Sequence, residues 1–285
     1  MSELLIGSVA YDPKVVTIWE GFRAYLRAVD GPAIDYLLYS NYERQVDDLL
    51  SGHIDLAWNS SLAWVRAERA ARAAGTEVLP VFMRDTDRDL RSAVVVRADS
   101  ELTDVTDLRG RRIAVGAVDS PQSTLLPLSY LRSVGVEPGV DVEVVRIDVG
   151  VGLHGDHVGG ERDAIVALRD GTVDAACVLD ANLLMFAREG TVASGALRVL
   201  GQTPSFDHCM MTAGPGVDAT ALAQLTEAFL AMSYADAQVR PLLDLEGLTA
   251  WLPGRTDGFG PLQRAVDESG FYDEQGRVRA RDYRP

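Results

Sequence analysis

The chain has 285 residues and a mass of 30.8 kDa, enough for one large or two medium domains, and its 47% hydrophobic content rules out a largely disordered polypeptide. Lys and Arg number 27 against 42 Asp and Glu, giving a net charge of -15 and a pI near 4.6, which argue against DNA, RNA or an anionic membrane as the main partner. The acidic residues are spread along the chain, so any anion it binds must be held by local donors.

The opening Met1-Ser2-Glu3-Leu4-Leu5-Ile6-Gly7 runs straight into a strand-like segment, without a basic region, long apolar stretch or cleavage site. The expectation is a cytoplasmic protein as the sequence stands, or a periplasmic or lipid-anchored one outside the membrane if an export segment was removed. No run of about eighteen apolar residues is present, so no membrane insertion is expected.

Strand and helix signals then alternate. Residues 4–10, 33–39 and 54–58 read as strands, each followed by a helical pattern at 15–29, 42–51 and 61–74. In such βαβ organisation ligands lie at the carboxyl ends of parallel strands, here Tyr11-Asp12, Ser40-Asn41 and Asn59-Ser60-Ser61. Strands at 78–83 and 92–97 follow, separated by the charged stretch 84–91. After Leu108-Arg109-Gly110 a second alternation begins, with strands at 111–116, 142–147 and 173–179 and helices at 122–133, 161–169 and 182–189. Residues 197–201 and 208–213 read as strands returning to the first unit, closed by helices at 219–232 and 235–243. The polar tail 274–285 is expected to pack on the surface or fray. Cys177 and Cys209 lie in apolar runs and read as buried small residues, with a disulfide or a reactive thiol as the alternatives.

The densest polar segment is Leu153 to Asp163, which carries His154, Asp156, His157, Glu161, Arg162 and Asp163 among three glycines. A loop entering a helix N-terminus brings unpaired N–H groups and polar side chains together, so the segment is either a ligand site or a solvated, capped loop. His154, His157, Glu161 and His208, the last beside Asp207, are acid–base candidates if the protein is an enzyme, because imidazole titrates near neutrality. A divalent metal is a further reading of these histidines, although a glycine loop supplies no helical ligand spacing; no other cofactor is called for. His53 reads as a surface or capping residue, Trp58 and Trp64 as core or cleft wall, and Trp251 as an anchor of the C-terminal segment. Asp180, at a strand end, is a cleft contact or a helix cap.

Four stretches occur in a characteristic order. They are Ile6-Gly7-Ser8-Val9-Ala10-Tyr11-Asp12-Pro13, Ser51-Gly52-His53-Ile54-Asp55-Leu56-Ala57-Trp58, the segment Asp107 to Gly116 running on through Asp119-Ser120-Pro121-Gln122-Ser123-Thr124, and Asp163 to Ala175. Together they resemble the type II periplasmic-binding-protein superfamily, and within it the phosphate, phosphite and phosphonate-binding branch of ABC-transporter solute receptors. The resemblance implies an α/β fold of two lobes joined by two hinge crossovers, near 92–100 and 194–209. Residues 1–95 and 196–285 would form one lobe and 96–195 the other. It places Tyr11, Asn59, Ser60 and Ser61 on one wall of a cleft, and Ser120, Gln122, Ser123 and Thr124 on the wall where the family holds an oxyanion. Hydroxyls and N–H groups at a helix start suit that task without a full positive charge. The implied partners are a small polar metabolite and, if the protein is exported, an ABC permease.

One departure matters. The phosphonate branch has a serine-histidine-aspartate entrance to the helix that here reads Gly160-Glu161-Arg162-Asp163. Arg162 offers a bidentate anion donor, whereas Glu161 repels a phosphonate unless it is protonated, metal-bound or paired with a ligand cation. A zwitterion, or an organic acid with a basic or hydroxyl group, fits these mixed signs better than a bare phosphonate. The alternative is a cytoplasmic enzyme of lyase or decarboxylase type acting on a small carboxylated or phosphorylated substrate, since the same two-lobed fold resembles that of menaquinone-pathway lyases and aromatic decarboxylases.

Overall fold

A computed structural model describes residues 3–156 and 158–285. The first sheet begins with the strands β1 (Leu4–Val9), β2 (Ile34–Tyr39) and β3 (Leu56–Asn59), which pair in parallel. The helices α1 (Lys14–Ala28), α2 (Tyr42–Ser51) and α3 (Ser61–Ala73) follow them in turn. In α1, Val15, Ile18, Trp19, Phe22 and Leu26 recur at helical spacing and form its buried stripe. Asn41 caps α2 by accepting from Arg44 N, and Gly52 ends it in the left-handed region at φ 74°. β4 (Leu79–Arg84) leads out to the second sheet, and the chain comes back through β10 (Met210–Ala213) and β11 (Trp251–Pro253), giving the order β11-β4-β10-β3-β1-β2.

The second sheet has the order β7-β6-β8-β5-β9. It is built from β5 (Ser92–Arg97), β6 (Arg112–Val115), β7 (Glu143–Arg146), β8 (Ala175–Leu179) and β9 (Leu197–Gln202). β6, β7 and β8 run parallel, whereas β5 is antiparallel to both β8 and β9. Around it lie α4 (Leu126–Ser133), entered through a wide turn at Pro121–Leu125, with α5 (Gly159–Arg169) and α6 (Asp180–Arg188). The helices α7 (Ala219–Leu230), α8 (Arg240–Glu246) and α9 (Gly260–Ser269) then cover the first sheet. Trp251 joins Phe22, Trp58, Phe82 and Phe229 in an aromatic cluster, which is the anchoring expected of it.

Two sequence expectations are corrected. Residues 197–201 do not return to the first sheet: β9 pairs with β5, its neighbour across the crossover. The tail does not simply lie on the surface either, because Tyr283 is 1% exposed and packs its ring against Phe271. Both errors arise because partners distant in sequence decide burial, and a polar composition cannot report them.

The two crossovers run side by side. Leu90 N donates to Phe206 O and Phe206 N to Leu90 O, each at 2.8 Å, and His208 N donates to Asp87 O at 2.9 Å. Buried Asp207 ties them to the C-terminal region, accepting from Asp89 N at 3.0 Å and from Arg255 Nε and Nη2 at 2.6 and 2.7 Å. Val118, Leu125 and Leu126, from the side of the second sheet, belong to the same core cluster as Val46, Trp64 and Phe259 under the first. The two sheets are therefore packed together across a shared apolar seam.

Candidate ligand-binding site

A cavity of about 320 Å³ opens between the two sheets beside the crossovers. Its polar lining comes from Tyr11 in the turn after β1, Lys14 at the start of α1, Arg84 and Asp87 at the first crossover, His208 and Cys209 at the second, Asp156 on the central loop, and Glu246 at the end of α8. Gln122 and Asn182 complete it from the second sheet, and Trp58 supplies an aromatic wall. A larger groove of about 770 Å³ along Leu79, Val81 and α7 is almost wholly apolar and gathers no convergent polar groups. The smaller cavity is where binding chemistry is concentrated.

Arg84 is the centre of its charge. The guanidinium lies 5.4 Å over the Trp58 ring, holds Asp87 through two hydrogen bonds of 2.6 and 2.9 Å, and reaches Glu246 Oε1 at 3.2 Å. Burial works against the Asp87 carboxylate, but Arg84 and His208 hold it down at about 2. Glu246 goes the other way: burial pushes it up to about 7 despite the Arg84 charge. Asp156, which accepts from the Tyr42 hydroxyl, is also raised by burial, with His208 opposing. The His208 imidazole is raised too, because Asp87 and Asp156 outweigh the burial that disfavours its charged form. Burial likewise raises the Tyr11 phenol and the Cys209 thiol. The cavity thus contains three carboxylates, and its principal cation is already engaged by two of them.

The loop that stood out in the sequence closes this cavity from one side. His154 is fully buried with a positive φ of 49°, a conformation unusual for a side chain-bearing residue. Its Nδ1 lies 2.7 Å from Ser60 Oγ and its Nε2 3.0 Å from Glu43 Oε1. Glu43 also accepts from Tyr272 at 2.7 Å and Tyr283 at 2.6 Å. Burial opposes the Glu43 charge, yet His154 and the two tyrosines hold the carboxyl at about 2. Asp119 Oδ2 accepts from Gly152 N and His154 N at 2.7 and 3.2 Å, and Gly155 O accepts from Gln122 Nε2 at 2.7 Å. Gly155 has φ 83°, and a Cβ there would lie 2.6 Å from Ser120 Oγ and 2.5 Å from Gln122 Nε2. Only glycine lets the loop approach that closely.

The expected site residues therefore divide. Tyr11, Gln122 and His208 line the cavity. Asn59, Ser60, Ser61, Ser120, Ser123 and Thr124 are buried and do not line it. Ser60 caps α3 and touches His154; Ser120 accepts from Ser123 Oγ at 2.7 Å. Asn59 Nδ2, Ser61 Oγ and Thr124 Oγ1 have no hydrogen-bond partner among the described residues. Arg162 is spent on Glu189 at 2.6 and 3.1 Å, outside the cavity, so the bidentate donor expected of it is turned elsewhere. Glu161 is buried behind the lining, raised by burial, and accepts from Leu179 N and Asn182 Nδ2 at 2.9 Å each. It acts on the cavity through Asn182. Asp180 begins α6 beside the lining residues Ala181 and Asn182, with Gln202 Nε2 3.4 Å away. His157 lies outside the described residues. His53 is an exposed partner of Ser51, as expected of a turn residue.

Lys14, Arg84, Asp87, Cys209 and Glu246 line the cavity without being among the contacts the sequence points to, whereas Asp156 belongs to the polar segment it does point to. Arg84 and Asp87 do open the charged stretch noted between two strands, which was the available signal. Glu246 offered none, since only the packing of α8 against α1 brings it to the cavity.

Comparisons with known proteins agree with this architecture. Residues 8–258 match the family of ABC transporter phosphonate periplasmic substrate-binding proteins. A probable ABC transporter phosphite binding protein, PhnD1, of Prochlorococcus marinus (strain MIT 9301) is 26% identical over 110 residues, a stretch spanning 36% of each protein. The solved structure of PhnD1 in complex with methylphosphonate superposes with a TM-score of 0.69 at 17% identity, covering 94% of this chain and 98% of that one. XAC2383 of Xanthomonas citri, bound to ATP, gives a TM-score of 0.72 at 16% identity with coverage of 94% and 98%. The aliphatic sulphonate binding protein SsuA of Escherichia coli gives 0.58 at 20%, with coverage of 94% and 91%. These likenesses establish a two-lobed α/β fold of the type II periplasmic-binding-protein kind. The family match overturns two sequence expectations, the cytoplasmic location and the lyase or decarboxylase alternative, because its members are periplasmic substrate-binding proteins. No described helix is long and apolar enough to cross a membrane. The chain belongs to the family of periplasmic substrate-binding proteins of phosphonate ABC transporters.

Proposed function

We propose that this protein binds a small zwitterion, an organic anion of the phosphonate or carboxylate class that also carries an ammonium group, in the cavity between its lobes. That it binds a small anionic or zwitterionic solute for an ABC transporter follows from the family. The narrower reading is supported by one observation: Asp87, Asp156 and Glu246 face a cavity whose Arg84 is already paired with Asp87 and Glu246. A dianion alone would have to lie close to the Asp156 carboxyl, whereas an ammonium group finds an acceptor there. Lys14, Asn182 and Gln122 are the donors we assign to the anionic end, and Tyr11 and Trp58 the flat walls. We assign hinge motion to the paired segments 84–91 and 203–209, with residues 98–195 carried on the moving lobe together with β5 and β9.

Calorimetry on the full chain tests this reading with pairs of ligands that differ only in an amino group, such as an aminoalkylphosphonate and the matching alkylphosphonate. The aminated member should bind at least tenfold more tightly, and Asp156→Asn should remove most of that preference. Equal affinities, or a preference untouched by Asp156→Asn, would refute it. Small-angle scattering should show the envelope contract as the ligand is added.

A further inference from the structure

Among the described residues, three side chains able to ligate a metal come together on the cavity wall: Asp87, His208 and Cys209, with donor atoms within 4.8 Å of one another. Neither His154 nor Glu161 takes part. His208 Nδ1 faces both other donors, 3.6 Å from Asp87 Oδ1 and 3.0 Å from Cys209 Sγ. A tetrahedral zinc ion, with bonds of about 2.3 Å to sulfur and 2.0–2.1 Å to nitrogen or oxygen, spaces its N and S ligands roughly 3.6 Å apart and its N and O ligands roughly 3.3 Å apart. The nitrogen and oxygen, 3.6 Å apart, need to close by roughly 0.3 Å, and the nitrogen and sulfur, 3.0 Å apart, to open by roughly 0.6 Å, both within reach of small side-chain rotations.

The chemistry of the donors also fits. Asp87 keeps a lone pair on each oxygen while Arg84 binds it, and a ligating carboxylate held by such an outer hydrogen bond is the usual arrangement at metal centres. A sulfur, an imidazole nitrogen and a carboxylate oxygen together favour a borderline-soft ion over magnesium or calcium.

We propose that Asp87, His208 and Cys209 form a three-ligand site for a divalent cation of the zinc class, with the fourth position facing the cavity and open to water or a donor atom of the solute. Binding replaces the thiol S–H by a metal–sulfur bond and releases that proton to solvent. The site shares the cavity of the proposed solute but rests on ligand geometry alone.

The test uses the chelator-stripped full chain and metal alone, with no solute. Titration with cobalt(II) should produce a thiolate-to-cobalt charge-transfer band that saturates at one equivalent and is displaced by zinc. The chain has two cysteines, and Cys177 is buried in the core of the second sheet. Cys177→Ser should therefore keep the band, Cys209→Ser should lose it, and His208→Gln should weaken zinc binding more than tenfold. His53→Gln, at an exposed turn, should change nothing. If Cys209→Ser does not fold, the band in the unaltered protein and in Cys177→Ser still decides the matter. No band at one equivalent, a band lost in Cys177→Ser, or a band that survives Cys209→Ser would overturn the site. The zwitterion reading is tested separately by Asp156→Asn, so failure of either leaves the other to be judged by its own measurement.

Discussion

Replacing Glu43 by Gln should expose how the loop over the cavity is held. Glu43 is 7% exposed and accepts from Tyr272, Tyr283 and His154, three groups that are distant in sequence. Its carboxyl falls from an ordinary 4.5 to about 2 in the folded protein, a difference worth roughly 3 kcal/mol at neutral pH. Because the folded value lies below the unfolded one, this stabilisation is fully present above pH 4.5 and is lost as pH falls towards 2. Glu43→Gln keeps the shape but removes the charge, so it should lower the melting temperature at pH 7 by roughly 5–10 °C. The gap between the variant and the unaltered protein should narrow steadily below pH 4.5. Thermal melts followed by circular dichroism at several pH values provide the measurement. A deficit that stays constant from pH 7 to pH 3, or one equivalent to less than about 1 kcal/mol at pH 7, would show that the ionised hub does not hold the loop.

Three other outcomes are expected. Glu246 is raised to about 7, so its contribution makes the protein less stable as pH rises from 4.5 to 7, by at most roughly 3 kcal/mol; Glu246→Gln should flatten that slope in denaturant titrations, and an unchanged slope would contradict the assignment. Gly155→Ala combines a left-handed φ of 83° with atoms 2.5–2.6 Å from the new Cβ, and should cost about 2 kcal/mol or more and weaken solute binding through the displaced loop. An Ala variant with unaltered melting and affinity would show that the close approach is not needed. Arg162→Met removes a partly exposed pair with Glu189 and should alter stability by less than about 1 kcal/mol and solute affinity by less than twofold, as read by calorimetry; a large loss of affinity would restore Arg162 to the site.

Much of the architecture was written locally. The apolar stripe of α1, the Asn41 and Ser60 caps, Gly52 at the end of α2 and the alternation of strands with helices each depend on residues within a turn or two, so periodicity and capping chemistry suffice to place them. The same reading points to the ends of the first parallel strands, where Tyr11 lines the cavity, and to the loop around His154, of which Gly155 and Asp156 line it. Where that loop goes was beyond it. His154 meets Ser60 and Glu43 across separations of 94 and 111 residues, and Tyr283 reaches Glu43 across 240, so the imidazole occupies the Ser60 hydroxyl while the Gly155 backbone packs on Ser120 and Gln122. Arg162 and Arg84 make the same point in opposite senses. Position in the sequence alone leaves both free to act as anion donors, but Glu189 takes up the first, and Asp87 with Glu246 hold the second already paired in the cavity. Local sequence sets which segments are strands and helices because those preferences act over a few residues. Which charges share a buried space, and so which solute the cavity favours, is decided only when the two sheets and the crossovers between them have closed around it.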